Sequence, residues 1–518
     1  LSNDHDETRP ADWIKLVIAV GIFCLVFSTL QILQYRALHV PHGDSGMYEE
    51  HLWNLLHGKG FRSQLDGGRL FLGEHLQVIH LLLLPIYVLW PTLPTLNVCE
   101  TLGLGTAAFA VFRCARTLRL PSRAAWTLSA AYLLYFPMQM LDMEASWKTF
   151  RPESLAVPFL LWALYALEAK RRFLMLGLLS VPLLAQEEYA VVFAAVGAYV
   201  MFRRLKLGAA MIAGAIIYLL FVLEFMIPYF RHGEPPHYTP YFAQLGASPR
   251  AIVSHAVTHP GDVIGRLVEL RDLHFIALML LPLAFVPLAS PGRFLVAGAV
   301  FGYLMLGDPD FLTQPWFHFH GPLVPLLVWA TIGGVARLRR RVCPVHAARF
   351  VCAACLVTGV WLGRSPLSWS FYDPRAGVPM RPSESGPVFE PLGDYWRDVY
   401  LQTPRSRAFG AVYAAVPSDA RVAATDYIRT RFTHHGAAHD YPLRPHVSIN
   451  DIDVIVLDKT EGWWGRGPTN PDRALIDCLA DPSATPGTQV DVRGVAFTIM
   501  HHDRFFLVVR RLTNAGVD

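Results

Sequence analysis

The side chains of this chain that could do chemistry stand at the edges of apolar runs. A first set, Asp44, Glu49, Glu50, Glu74 and His75, lies within residues 38–80, from LHVPHGDSGMYEEHLWNLLHGKGF to LGEHLQVIH. Asp44 precedes MYEEHLWNLLHG, in which Tyr48, Leu52, Leu55 and Leu56 share a helical face and Gly58 supplies a stop. Two duties suit Asp44. It can cap an interfacial helix, or it can act at a membrane surface by taking a proton from an acceptor hydroxyl or holding a divalent cation. Glu74 and His75, an adjacent acid and imidazole, can anchor the next segment, orient a phosphate or bind a metal. A second set, Glu144, Lys148, Arg151 and Glu153, falls in LDMEASWKTFRPE. Lys148 and Arg151 are its phosphate binders, since guanidinium geometry suits phosphate oxygens. Glu187 and Glu188 form a third set. Two adjacent acids between apolar segments are costly, so one is expected to pair with Lys148 or Arg151, and an ion-pair staple competes with catalysis. The fourth set is Asp308, Asp310, His318 and His320 in GDPDFLTQPWFHFH, whose histidines could share an anion.

The elements that must position these groups are membrane-like. Of 518 residues 53% are hydrophobic and only 17% charged, below the quarter usual in soluble domains, and the excess comes in repeated runs. The net charge of +4 is small and its arginines sit in short loops, which argues for topology signals and against a nucleic-acid surface. The run from Trp13 to Leu33 resembles a signal anchor. Candidate spans are 13–34, 95–112, 124–141, 154–169, 173–185, 189–202, 207–230, 273–289, 293–306, 320–336 and 346–362. Residues 76–90 are apolar but short, and contain Pro85. Denying that piece a full crossing puts the basic clusters near 113–123, 170–172, 203–206 and 337–341 on one side, as cytoplasmic loops require. The expectation is eleven spans, a cytoplasmic N-terminus, and all four acidic sets converging on an outer polar cleft.

Residues 231–271 are rich in Pro and His and are expected to form a lid or an amphipathic surface piece. Residues 363–394 are an irregular linker. Residues 395–518 follow as a small extracytoplasmic α/β domain, helical over 395–416, with strands at RVAAT, DVIVLD, VAFTIMHH and RFFLVVRR, HHDR as a hairpin turn, and Trp463 and Trp464 on a loop facing lipid headgroups. The seven cysteines lie mostly in apolar segments, and Cys352 with Cys355 reads as helix packing. No P-loop, dinucleotide glycine pattern, HExxH or GxSxG occurs, which disfavours ATP-driven transport and serine-hydrolase chemistry.

In order along the chain, PHGDSGMYEEHLWNLLHGKGF, GEHLQVIHLLLLPIY, FRPESLAVPFLL, LLAQEEYAVV, HFHGPLVPLLVWA, VPSDARVAATDYIRTRF and DIDVIVLD resemble the motifs of an uncharacterised prokaryotic multi-spanning membrane-protein family, domain of unknown function 2079. That family is distantly similar to membrane glycosyltransferases of the C-type fold. The resemblance implies a mainly α helical bundle in the cell inner membrane, an acidic residue in the first outer loop, a polyprenyl-phosphate sugar donor and often a divalent cation, magnesium or manganese. Asp44 matches the acidic position. Arg151 departs from a histidine in a Phe-His-Pro-Glu motif, and Gln186-Glu187-Glu188 departs from Lys-Glu-Asp. A compensated salt bridge, a changed substrate or lost activity would each account for these departures. The expected function is sugar transfer at the outer face. Asp44, Glu187 and Glu188 are the catalytic carboxylates, Lys148, Arg151, Glu153, His318 and His320 bind substrate and phosphate, and Glu74 and His75 are the metal candidates. Partners are the bilayer and the lipid-linked sugar, with no nucleic acid or nucleotide. A non-enzymatic envelope assembly protein is the alternative. A transporter is less favoured, because its polar residues would sit mid-span.

Overall fold

The computed structural model describes residues 10–40, 43–64, 67–143, 150–373, 396–461, 472–481 and 483–512. It is a helical bundle carrying a small sheet domain at its C-terminal end. Among the described residues, four helical stretches are long and apolar enough to cross a membrane: Ala11–Arg36, Leu93–Thr117, Leu205–Phe230 and Pro344–Leu362. The first belongs to α1 (Pro10–Arg36), whose 27 residues rise about 40 Å at 1.5 Å each. Leu16, Val20, Phe23 and Phe27 face the bundle at helical spacing, while Ile14, Ile18, Ile22 and Leu25 point outward. Shorter apolar helices at Tyr189–Met201, Pro291–Met305 and Leu323–Leu338 complete the packing.

Prolines break several of the expected spans. Residues 79–83 form a 3-10 turn followed by α3 (Leu84–Leu89), and this short piece leaves Leu82, Val88, Leu89 and Trp90 exposed. The run 124–141 divides into Ser122–Leu134 and Phe136–Met143 beside Pro137, which has no N–H to donate. The run 273–289 is not one helix. Leu270–Leu280 ends before Pro282, and Ala284 and Phe285 turn left-handed at φ 51° and 56°. Cys352 and Cys355 are free thiols inside Pro344–Leu362, and Cys355 Sγ donates to the Pro282 carbonyl at 3.1 Å.

The C-terminal sheet comprises β1 (Arg421–Ala424), β2 (Ala437–Asp440), β3 (Val454–Asp458), β4 (Gln489–Val492), β5 (Val495–His502) and β6 (Phe506–Arg511). Their order is β2-β1-β3-β6-β5-β4. β1 runs parallel to β2 and β3, with Val422 opposite Val454, and the β3–β6, β5–β6 and β4–β5 pairs are antiparallel. β3 is buried along its length because helix Pro404–Ala414 covers one face and Arg473–Ala480 the other. In the HHDR turn, Asp503 Oδ1 accepts from the Phe505 and Phe506 amides, each at 2.7 Å. β2 and β4 were not expected: each is only four residues long, and AAHD holds no β-branched residue. Trp463, Trp464 and most of the linker lie outside the described residues.

The sheet domain grips α2 (Gly43–Leu56) and the end of α1. Arg405 pairs with Asp458 and donates to the Leu38 carbonyl at 3.1 Å. Arg429 pairs with Glu50 at 3.3 Å and Asp440 at 3.0 Å, and the Arg429 and Glu50 side chains are almost fully buried. His434 reaches Glu49 at 3.1 Å and stacks on Trp53 with centroids 3.9 Å apart. Leu38 joins the apolar cluster of Phe409, Val412 and Phe506. The domain therefore holds one face of α2 and leaves the face of Asp44, Met47 and Tyr48 to a cavity.

Candidate functional site

That cavity holds about 630 Å³ and draws its lining from every acidic set singled out above. Asp44 opens α2, and its carboxylate forms an ion pair with Arg151. Arg151 precedes Pro152, which keeps its backbone extended (φ −137°, ψ 117°) and ends the loop at a 3-10 turn, Pro152–Leu155. The Phe150 amide donates to Ser45 Oγ at 3.0 Å and ties Phe150 and Arg151 to the start of α2. Glu153 and His318 approach to 4.0 Å.

Glu187 is held from three sides. His75 Nδ1 lies 2.8 Å from Oε1, Tyr238 O–H donates to the same oxygen at 2.6 Å, and the Leu76 amide donates to Oε2 at 3.1 Å. Burial pushes the Glu187 carboxyl up, but the charge and hydrogen bond of His75, with Tyr238, outweigh it and hold the group below its ordinary value. Burial alone would lower His75; Glu187 outweighs it and raises the imidazole. For Glu188 burial outweighs the hydrogen bond from Tyr303 and the His75 charge, and with Glu187 and Glu153 nearby its carboxyl is pushed up to about 8. Two neighbouring carboxyls are thereby shifted in opposite directions, Glu187 below and Glu188 above the ordinary carboxylate value.

Glu74 sits among cations: Arg231 at 2.8 Å, His237 at 3.0 Å and Arg69 at 3.3 Å. Burial raises its carboxyl, and these partners lower it below the ordinary value. Glu74 and His75 do not converge on one point, since Glu74 turns to the arginines and His75 to Glu187. Three positively charged or chargeable neighbours make a poor cation cradle, and no group of three or more His, Cys, Asp or Glu suited to a metal occurs among the described residues. The Glu74–His75 pair does not fit a divalent cation.

Several expected partners differ. Glu187 pairs with His75 and Tyr238, whereas Arg151 pairs with Asp44, because Phe150 and Arg151 lie against the start of α2. Lys148 and Glu144 lie outside the described residues. His318 lines the cavity; His320 does not. The two occupy a 3-10 turn, where residues two apart point in different directions, and His320 Nε2 is bonded to the Pro137 carbonyl at 2.7 Å inside the bundle. Arg69, Arg231, His237, Tyr238, Tyr241 and Tyr303 also line the cavity without having been singled out. His237 and Tyr238 lie in the Pro/His-rich 231–271 segment, whose EPPHYTPYF was the available signal. Arg444 comes from the sheet domain, fixed by Asp440 at 2.8 Å, and nothing local in the sequence marks it. Val191, Leu219, Leu223, Leu304 and Leu312 give the cavity an apolar wall.

The chain thus sets a polar cavity with an apolar wall in a helical bundle, with Arg444 of the sheet domain among its lining residues. The solved structure of ArnT from Cupriavidus metallidurans bound to undecaprenyl phosphate shares this fold, with a TM-score of 0.53 and 14% identity over 98% of this chain and 100% of that one. The same protein in its apo state aligns at a TM-score of 0.49 and 14% identity, covering 98% of this chain and 99% of that one. Residues 35–474 match the family described as predicted membrane protein (DUF2079), and the chain belongs to that family of membrane proteins. No curated protein matches it.

Proposed function

We propose that the protein is a multi-pass glycosyltransferase that moves a sugar from a polyprenyl-phosphate donor to an acceptor hydroxyl at the outer face of the inner membrane, with its N-terminus cytoplasmic. The observation that carries this reading is the single cavity that joins the Asp44–Arg151 pair, the Glu187–His75 pair and the Arg69–Arg231–His237 cluster to an apolar wall. A polyprenyl tail suits Leu219 and Leu223, which lie on the membrane-length helical stretch Leu205–Phe230. The donor phosphate suits the cationic cluster and Arg151. ArnT, with a similar fold, has been captured with undecaprenyl phosphate, which supports this class of ligand.

In the reaction, the acceptor oxygen attacks the anomeric carbon opposite the phosphate, and its proton passes to Asp44. The bond from carbon to phosphate oxygen breaks, and the polyprenyl phosphate departs with the charge held by the arginines. Arg151 pairs with the Asp44 carboxylate and orients it toward the cavity. A lipid phosphate is a good leaving group, so no nucleotide fold is required.

The test is transfer from a panel of polyprenyl-phosphate sugars by the full chain in proteoliposomes, together with mass spectrometry for a co-purifying polyprenyl phosphate. Transfer that falls roughly 10²–10⁴-fold in Asp44→Asn is expected, the range for loss of a general base. Absence of both transfer and bound lipid phosphate would sink the proposal and favour an envelope assembly role.

A further inference from the structure

At the other end of the bundle the chain builds a second cleft, of about 390 Å³, lined by Lys170, Arg171, Arg172, Phe173, Leu174 and Arg204. It lies where helix Ala156–Glu168 turns into Arg172–Ser180 and where Tyr189–Met201 turns into Leu205–Phe221. Gln186–Glu188 join the opposite ends of the middle two helices, so the bundle separates this cleft from the cavity of Asp44. The first turn is made by Lys170 at φ 59°, which brings three consecutive cations around the corner.

Two features distinguish this cluster from an ordinary basic loop. None of its four cations forms an ion pair with an acid among the described residues. The nearest acid in sequence, Glu168, faces inward, held by Arg293 at 2.9 Å and by Trp329 Nε1 at 2.8 Å. Large apolar side chains stand exposed in and beside the cleft: Phe173, which lines it, is 74% exposed, and Phe202 and Leu205, which flank the lining residue Arg204 in the sequence, are 89% and 69% exposed. Arg172 lies over the Phe173 ring at 4.6 Å, as Arg113 lies over Trp13 in another basic loop, so what sets this cluster apart is that its cations line a cleft, whereas Arg339, Arg340 and Arg341 line none of the described cavities.

Uncompensated cations beside exposed apolar rings, at the end of membrane helices, match a ligand with a phosphate head and acyl tails. We propose that this cleft is a binding site for one anionic phospholipid, its phosphate held by Arg171, Arg172, Lys170 and Arg204 and its tails lying along Phe173, Phe202 and Leu205. Four cations exceed the charge of one phosphate, so a two-phosphate lipid of the cardiolipin type binds more tightly than phosphatidylglycerol. The site is independent of the sugar-transfer reading and stands or falls without it.

Native mass spectrometry of the full chain tests this, with phosphatidylcholine, phosphatidylglycerol and cardiolipin each titrated into detergent. The expected result is a one-to-one adduct in the order cardiolipin, phosphatidylglycerol, phosphatidylcholine. In the triple variant Arg171→Gln, Arg172→Gln, Arg204→Gln, retention falls on the order of a hundredfold, because each basic side chain near an anionic lipid surface contributes about fivefold. The control Arg339→Gln, Arg340→Gln, Arg341→Gln removes the same charge from the chain and should keep the adduct. Equal loss in both variants, or no preference for anionic lipid in the wild type, overturns the proposal. Should the triple variant fail to fold, Phe173 replaced by a photo-crosslinking residue reads the wild-type cleft directly, and labelling of phosphatidylcholine as strongly as cardiolipin would again overturn it.

Discussion

Glu187 and Glu188 are neighbours in sequence whose carboxyls are shifted in opposite directions, and the difference lies in what each one meets. Glu187 has His75 and Tyr238; Glu188 is pushed up to about 8 by burial. Glu188→Gln mimics a protonated side chain and should leave the thermal unfolding midpoint unchanged or raised near neutral pH, whereas Glu187→Gln should lower it. Equal losses in the two variants would refute the assignment. The His75–Glu187 pair also predicts a pH dependence. His75 is raised above its ordinary 6.5, so its contribution is complete below 6.5 and is lost as pH rises through the raised value. Glu187 is lowered below 4.5, so its contribution is present above 4.5 and is lost as pH falls through the lowered value. The pair therefore stabilises most between 4.5 and 6.5. In His75→Gln the part of the alkaline decline due to the pair should vanish from the unfolding profile in detergent; an identical decline in both proteins would count against the pair.

At the scale of the element, α2 is the part on which the site depends. One face carries Asp44 and Tyr48 toward the cavity, while the other is held by Arg429, His434 and the ring stack on Trp53. Arg429→Met breaks a buried pair at one partner and leaves the Glu50 charge in the interior without that partner. A loss of about 3 kcal/mol is expected from such a break, read as a fall in thermal midpoint or denaturant resistance. A cost no greater than that of an exposed pair would mean that α2 holds its place without the sheet domain. The helices Tyr189–Met201 and Leu205–Phe221 meet through glycines: a Cβ on Gly208 would lie 2.5 Å from the Gly197 carbonyl oxygen. Gly208→Val should separate these helices and destabilise the protein by roughly 1–3 kcal/mol, the usual cost of overpacking.

At the scale of the molecule, the sheet domain serves as a structural part of the membrane domain and as a wall of its cavity, through Arg444. Removal of residues 396–518 would expose Leu38 and strip Glu49 and Glu50 of His434 and Arg429. The shortened chain is expected to show a lower unfolding midpoint and no sugar transfer in proteoliposomes. Full transfer by it would show that the domain has a separate duty.

The amino-acid order alone determined the apolar runs, the break at residues 76–90, four of the six described strands, and which acids stand at the edges of apolar runs. These are local properties: hydrophobic periodicity, proline and strand propensity act over a few residues. The partners of the charges were decided only by the tertiary structure. Arg151 meets Asp44, 107 residues away, and Glu187 meets His75, 112 residues away, because helix packing sets those distances and no local pattern encodes them. For the same reason His320 fell outside the cavity while Arg231, His237 and Arg444 fell within it. A titratable side chain takes its charge and its duty from the groups that surround it, and in this protein those groups arrive from distant parts of the chain.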